Sequence, residues 1–234
     1  MDLEAEFGAI DIYLFDQLLR GRITRTDRIV DAGCGSGRNL VFLLRAGYDL
    51  WGIDADPDQI RDARLLAAAL APTLPADRFR VEPVEQSTLA DACATVVISS
   101  AVLHFARDDA HFDAMVRGTW RILAPGGMLW CRLASTIGME SRVMALDRSG
   151  HRYRLPDGTI RYLVDEARLA ALTHELGGQF LDPLKTTVVQ DQRSMTTWVV
   201  RKGSGPAGVS RAPGVWPRLA CAGPDPLRSL CAIQ

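Results

Sequence analysis

Three glycines in five positions, Gly33, Gly35 and Gly37, follow a short apolar run and an acid, Asp31, in the stretch RIVDAGCGSGRNL. A glycine loop between a strand and a helix permits positive φ and lets a ligand approach bare backbone. The free N–H groups at the start of the helix then face that ligand. A tight turn alone would need only one glycine. The dinucleotide fingerprint is G-x-G-x-x-G, whereas the spacing here is G-x-G-x-G, with Arg38 where the last glycine belongs. Asp31 would repel a diphosphate and attract an ammonium group. The loop therefore suits a cationic amino-acid moiety better than a pyrophosphate.

Other chemistry is sparse. The sequence has no G-x-S-x-G elbow, no H-E-x-x-H and no paired-carboxylate signature, and no metal site is expected. A second cluster of reactive types lies in SSAVLHFARDDAHF. His104 falls where open α/β sheets place ligands, beyond the carboxyl ends of the strands; it is the candidate base or, alternatively, a packing histidine that lines the pocket. Ser99 and Ser100 either touch a ligand or end a strand. His111 reads as a solvated helix residue.

These residues need a scaffold, and the pattern supplies one. Strand-like runs at 28–32, 48–54, 79–84, 94–100 and 128–134 alternate with helical patterns at 36–47, 56–71 and 108–123. Asp56 and Pro57 form the expected start of the second of these helices. Such alternation predicts an α/β fold, a doubly wound and mostly parallel sheet covered on both faces. An amphipathic helix at 9–19 precedes it and can bring Tyr13 or Phe15 over the site. The segment 135–163 breaks the rhythm with a hairpin around Pro156-Asp157-Gly158. It is the candidate acceptor lid, offering Arg152, Tyr153 and Arg154 to an anionic or aromatic substrate. A helix at 165–177 and β-rich runs at 184–191 and 194–202 follow, the last two predicting an antiparallel pair.

VDAGCGSG resembles the first motif of the class I S-adenosylmethionine-dependent methyltransferases, and the likeness continues in register over residues 1–202. It implies a seven-stranded sheet with an antiparallel last strand. It also implies that Asp31, Gly33, Cys34, Gly35, Gly37 and Asn39 receive the methionine portion of S-adenosylmethionine. GIDADP is similar to the end of that family's second strand, which implies that Asp54, with Ala55 beside it, meets the ribose hydroxyls. An ionised carboxylate can accept both hydroxyl hydrogen bonds. RILAPGG and the terminal β-pair resemble the fifth, sixth and seventh strands. For the adenine amino group the candidates in VEPVEQST are Glu85 and Gln86, because Glu82 is expected still to lie in the strand. Thr95 stands where members often carry an acid. GCGSGRNLVFLLRAGYDLWGID also resembles the tellurite-resistance type, which points toward small, soft nucleophile acceptors. The alternative is a cofactor-fold protein without methyl transfer, either nicotinamide-dependent or nucleoside-binding.

Composition sets the remaining bounds. The 234 residues carry a formal net charge of −1, with 47% hydrophobic and 24% charged side chains. One domain with a full core is expected, and the charge provides no basic field for nucleic acid. Five scattered cysteines argue against a disulfide framework or structural zinc. MDLEAEFGAI lacks the order of a signal peptide, and no apolar run approaches the ~18 residues of a membrane span. A cytoplasmic protein with a small-molecule substrate is expected. Residues 203–234 hold five Gly and five Pro without a period and are expected to form a disordered tail.

Overall fold

The computed structural model describes residues 2–146 and 150–204. The expected tail therefore lies outside the described residues from position 205 on. Five parallel strands form the middle and one edge of the sheet: β1 (Arg28–Ala32), β2 (Asp49–Asp54), β3 (Phe79–Val81), β4 (Ala94–Ser100) and β5 (Leu123–Ala134). The other edge comes later in the chain. A small sheet of β6 (Met144–Ala145), β7 (Arg152–Arg154) and β8 (Ile160–Tyr162) intervenes. Then β9 (Gly178–Phe180), β10 (Lys185–Val189) and β11 (Arg193–Lys202) complete the main sheet in the order β10-β11-β5-β4-β1-β2-β3. β11 runs antiparallel to β5, β10 and β9. Pairing by β9 makes the sheet eight-stranded rather than seven. Three residues beginning with Gly178 are too few to show an alternating pattern.

Alternation along the strands divides the core between two faces. Val30, Val97, Leu129 and Trp198 face α5 (Asp109–Ile122) and α6 (Glu166–Glu175). Ile29, Val96, Ile98 and Trp130 face the opposite way, against α2 (Ile12–Leu19), α3 (Val41–Arg45) and α4 (Pro57–Leu70). Capping sets several boundaries. Asp56 accepts from the Asp58 N–H at 2.8 Å and Pro57 fills the first position of α4, while Asp108 and Asp165 cap α5 and α6. Among the described residues no helix is long and apolar enough to cross a membrane.

Four sequence expectations need correction. The opening helix expected over 9–19 begins at Ile12 as α2, capped by Asp11, and a separate helix, α1 (Leu3–Phe7), precedes it. The helix expected from 36 begins only at Val41, because Gly37 holds φ +91°, outside the right-handed helical region. A Cβ at Gly37 would also lie 2.7 Å from Leu66 Cδ2 on α4. β3 stops at Val81, where Pro83 and a 3₁₀ turn over Val84–Gln86 follow. The expected turn at 124–127 is absorbed into the irregular start of β5, where the register with β4 shifts and Gly126 holds φ +79°.

α2 and the turn that follows it are pinned by a buried carboxylate. Asp182, between β9 and β10, accepts from Gln17 Nε2 at 3.1 Å, Arg20 Nη1 at 3.2 Å and Arg22 Nη1 at 2.8 Å. Replacing Asp182 with alanine removes all three bonds, each worth ~0.5–3 kcal/mol. Amides of α2 in D182A are expected to exchange at least tenfold faster than in the wild type while those of β4 and β5 do not, as read by native-state hydrogen exchange. Uniform acceleration across the sheet would show that the clamp is not local.

Candidate functional site

The tips of β1, β2 and β4 open into one cavity of about 900 Å³. Its floor is the glycine loop. Gly33 and Cys34 extend the pairing of β1, both N–H groups donating to the Ile53 carbonyl at 2.8 and 3.0 Å. Gly33 holds φ +87°, and a Cβ there would sit 2.2 Å from Val102 Cγ2, so no other residue fits beneath the loop after β4. The Gly35 N–H donates to Asp54 Oδ2 at 2.9 Å, and the other oxygen of Asp54 accepts from the Asp56 N–H at 3.0 Å. The acid at the tip of β2 thus ties the glycine loop to the start of α4.

Of the residues expected at a site, Gly33, Cys34, Gly35, Asn39, Asp54, Ala55, Glu85 and His104 line this cavity. The others stand outside the lining. Gly37 packs on α4, and Gln86 is exposed. Ser99 is fully buried, and its neighbour Ser100 lines the cavity instead, accepting from Arg38 Nη2 at 3.3 Å. Asp31 lies beneath the loop with 1% exposure, and its Oδ1 has no hydrogen-bond partner. Burial, together with the nearby charge of Asp54, raises its carboxyl to about 7, against a smaller opposing effect of Arg38. Burial and the charges of Asp31 and Asp54 push the Cys34 thiol far up, so it stays protonated.

Glu82 is just past β3, not in it, and its carboxylate is occupied. It accepts from the Thr88 N–H at 2.9 Å and the Thr88 hydroxyl at 2.6 Å, and from the Ser87 hydroxyl at 3.2 Å. Glu85 pairs with His111 at 3.0 Å. His111 Nδ1 accepts the Arg107 N–H at 3.1 Å, so Nε2 carries the proton that Glu85 receives. His111 is therefore a part-buried member of the cavity wall, not the solvated helix residue expected from the pattern.

His104 is 7% exposed and its Nδ1 accepts the Ala134 N–H at 3.2 Å. Burial, with the charges of Arg161 and Arg193, lowers its pKa to about 4. The ring is neutral near pH 7 with its proton on Nε2, which makes it a hydrogen-bond donor and a poor base. The expectation of a proton acceptor at His104 therefore meets a nitrogen already occupied.

The hairpin of β7 and β8 reaches the cavity through other residues than expected. Arg152 and Tyr153 lie outside the lining, Tyr153 packing near Leu155, Leu163 and Met195, while Leu155, Asp157, Thr159 and Arg161 line it. Tyr13 is also outside; its hydroxyl bonds Thr187 Oγ1 at 2.9 Å, and Arg132 and Lys185 stack near its ring. Asp11, unmarked by any motif, does line it. Its N–H donates to Asn39 Oδ1 at 2.9 Å and its carboxylate pairs with Arg132, joining α2, the glycine loop and β5. The only advance signal for Asp11 was its fitness as a helix cap.

Asp31 and His104 oppose each other in pH dependence. A carboxyl raised from 3.8 to about 7 on folding contributes stability that is present below pH 4 and lost as pH rises to 7. A histidine lowered from 6.5 to about 4 contributes stability that is present above 6.5 and lost as pH falls to 4. In the ligand-free protein, melting followed by circular dichroism over about pH 4.5–6.5 is expected to separate them. D31N should gain stability as pH rises and H104Q should lose it, the wild type lying between. Parallel curves for all three would contradict these assignments.

Residues 30–131 match the model of a methyltransferase-domain family. A ubiquinone biosynthesis O-methyltransferase from Xanthomonas axonopodis pv. citri is 30% identical over 161 residues, covering 66% of this chain and 64% of that protein. The chain spans less than two thirds of the length of that and other curated relatives it matches, 40% and 50% in two further cases. A SAM-dependent methyltransferase from Methanosarcina mazei superposes with a TM-score of 0.62 at 19% identity, over 80% of this chain and 97% of that one. A 1,6-didemethyltoxoflavin-N1-methyltransferase from Burkholderia thailandensis, solved with bound 1,6-didemethyltoxoflavin and S-adenosylhomocysteine, gives a TM-score of 0.59 at 17% identity, over 86% of this chain and 81% of that one. The fold is Rossmann-like, as in these structures.

Proposed function

We propose that this protein is a class I S-adenosylmethionine-dependent methyltransferase acting on a small-molecule acceptor, a reading supported by the methyltransferase-domain match over residues 30–131. The observation that carries the reading is the position of Asp54. Its two oxygens each accept one backbone N–H, and a carboxylate has about four acceptor sites. One site per oxygen remains for a pair of neighbouring hydroxyls, on a carboxylate already fixed to the glycine loop.

The remaining residues fit the same cofactor. Gly33 and Gly35 leave bare backbone on the cavity floor for the methionine portion. Asp31 acts on its ammonium through charge, being too buried for open contact. A buried carboxyl at that point offers a diphosphate no positive charge, which speaks against the nicotinamide alternative. Glu85, oriented by His111, is the residue for the adenine amino group. When bound, S-adenosylmethionine supplies a sulfonium-activated methyl that an acceptor lone pair takes as the carbon–sulfur bond breaks. The chain's share is alignment, which can supply ~7–11 kcal/mol. His104 serves as a neutral donor that positions the acceptor. The relatives named for ubiquinone biosynthesis and for didemethyltoxoflavin support a small acceptor. A net charge of −1 gives no support to a nucleic acid, and we place the protein in the cytoplasm.

The test uses Asp54→Ala. Loss of a charge-assisted acceptor costs ~1.5–3 kcal/mol per bond, so binding of S-adenosylmethionine in calorimetry should weaken at least tenfold. Transfer of a tritiated methyl group to a small-molecule cell extract should fall by a similar factor or more, with the far-ultraviolet spectrum unchanged. Undiminished binding in D54A would overturn the assignment.

A further inference from the structure

We propose that the acceptor end of the cavity is built for a small aromatic carboxylate, held by Arg161 and Arg193 beside the ring of Phe105. This rests on the methyltransferase reading of the same cavity. The sheet order separates the two ends. Asp54 and Glu85 follow β2 and β3 on one side, whereas Arg161 on β8 and Arg193 on β11 lie toward the other.

Positive charge is in excess at this second end. Arg132 has Asp11 as its ion-pair partner, and Arg38 belongs to the glycine loop, where it bonds Ser100 and offsets Asp31. Among the described residues, no carboxylate lies within 4.0 Å of the guanidinium nitrogens of Arg161 or Arg193. Arg161 uses Nη1 on the Ile160 carbonyl at 2.8 Å, and its other donors take no hydrogen-bond partner among the described residues. Asp157 lies close enough for its charge to interact with both guanidiniums, but without an ion-pair contact to either, and it spends Oδ1 on the N–H and hydroxyl of Thr159. Two guanidiniums thus share one carboxylate that forms an ion pair with neither, and the neutral His104 adds no charge. A guanidinium fork matches a carboxylate in shape as well as charge.

The apolar half of the ligand follows from Phe105. Its side chain lines the cavity with 59% of the residue exposed, and the Arg161 guanidinium lies 4.9 Å from its ring centroid. Leu155 and Met195 line the same end. An exposed aromatic ring next to two cations without an ion-pair contact selects a flat, apolar body carrying an anion.

The experiment is calorimetry on full-length protein saturated with S-adenosylhomocysteine. The probes are benzoate, 1-naphthoate and 3-phenylpropanoate, each against its carboxamide, with phenyl phosphate as a separate anion. At least one acid is expected to bind tenfold or more tightly than its amide. The R161Q/R193Q double variant should erase that preference while S-adenosylhomocysteine affinity stays within about twofold, and F105L should weaken the acid severalfold. The proposal is overturned if no acid outbinds its amide, binding of none included. It is equally overturned if phenyl phosphate outbinds every acid or if the preference survives in the double variant. Failure of S-adenosylhomocysteine itself to bind, recorded before any acid is added, would instead overturn the cofactor reading beneath it.

Discussion

The hydrogen bond from the Gly35 N–H to the Asp54 carboxylate holds the site together. It joins the loop after β1 to the tip of β2, and the second oxygen of Asp54 reaches the Asp56 N–H at the head of α4. A loop containing Gly33, Gly35 and Gly37 would otherwise carry large conformational freedom. With the bond in place, the loop presents backbone and one fixed carboxylate to the same cavity. The neighbouring strand order makes this possible, because β1 lies between β2 and β4 and their carboxyl ends meet. The crevice at such strand ends is where open α/β sheets bind ligands.

The electrostatics of the cavity are graded. At the β1–β2 end, Asp31 sits below the loop with a carboxyl near neutral pH, and Asp54 and Glu85 stand on the wall. At the β5–β11 end, guanidiniums dominate, and burial, helped by the same charges, keeps His104 neutral. Between them the pairing of Asp11 with Arg132 closes the N-terminal helices over the sheet. A ligand with a cationic part at one end and an acceptor with an anionic part at the other would both find opposite charge. A single pyrophosphate spanning the loop would meet an unpartnered acid.

The sequence revealed most where local rules govern. The apolar runs of β1, β2 and β4, the cap of Asp56 and Pro57, and the acid at position 54 are local signals, and each element stands where its pattern put it. The reading was less complete where distant residues decide. α3 is short because Gly37 must keep φ +91° beneath Leu66, a neighbour from another helix. β9 exists because β11 offers it an edge. His111 joins the cavity wall only because Glu85 comes beside it across 26 residues. In the hairpin, Arg161 lines the cavity where Arg152 and Tyr153 were expected; Tyr153, its cross-strand partner, is taken up by packing in the cluster of Ala134, Leu155 and Leu163. Asp11 carried no motif at all; its role arises from Asn39 and Arg132, which are far from it in sequence.

The most direct test of the central claim is the cofactor itself. Parallel calorimetric titrations of the full-length protein with S-adenosylmethionine and with NAD put the G-x-G-x-G loop and Asp31 to the question together. This account predicts micromolar binding of S-adenosylmethionine and no measurable heat with NAD. Binding of NAD alone, or of neither, would contradict it.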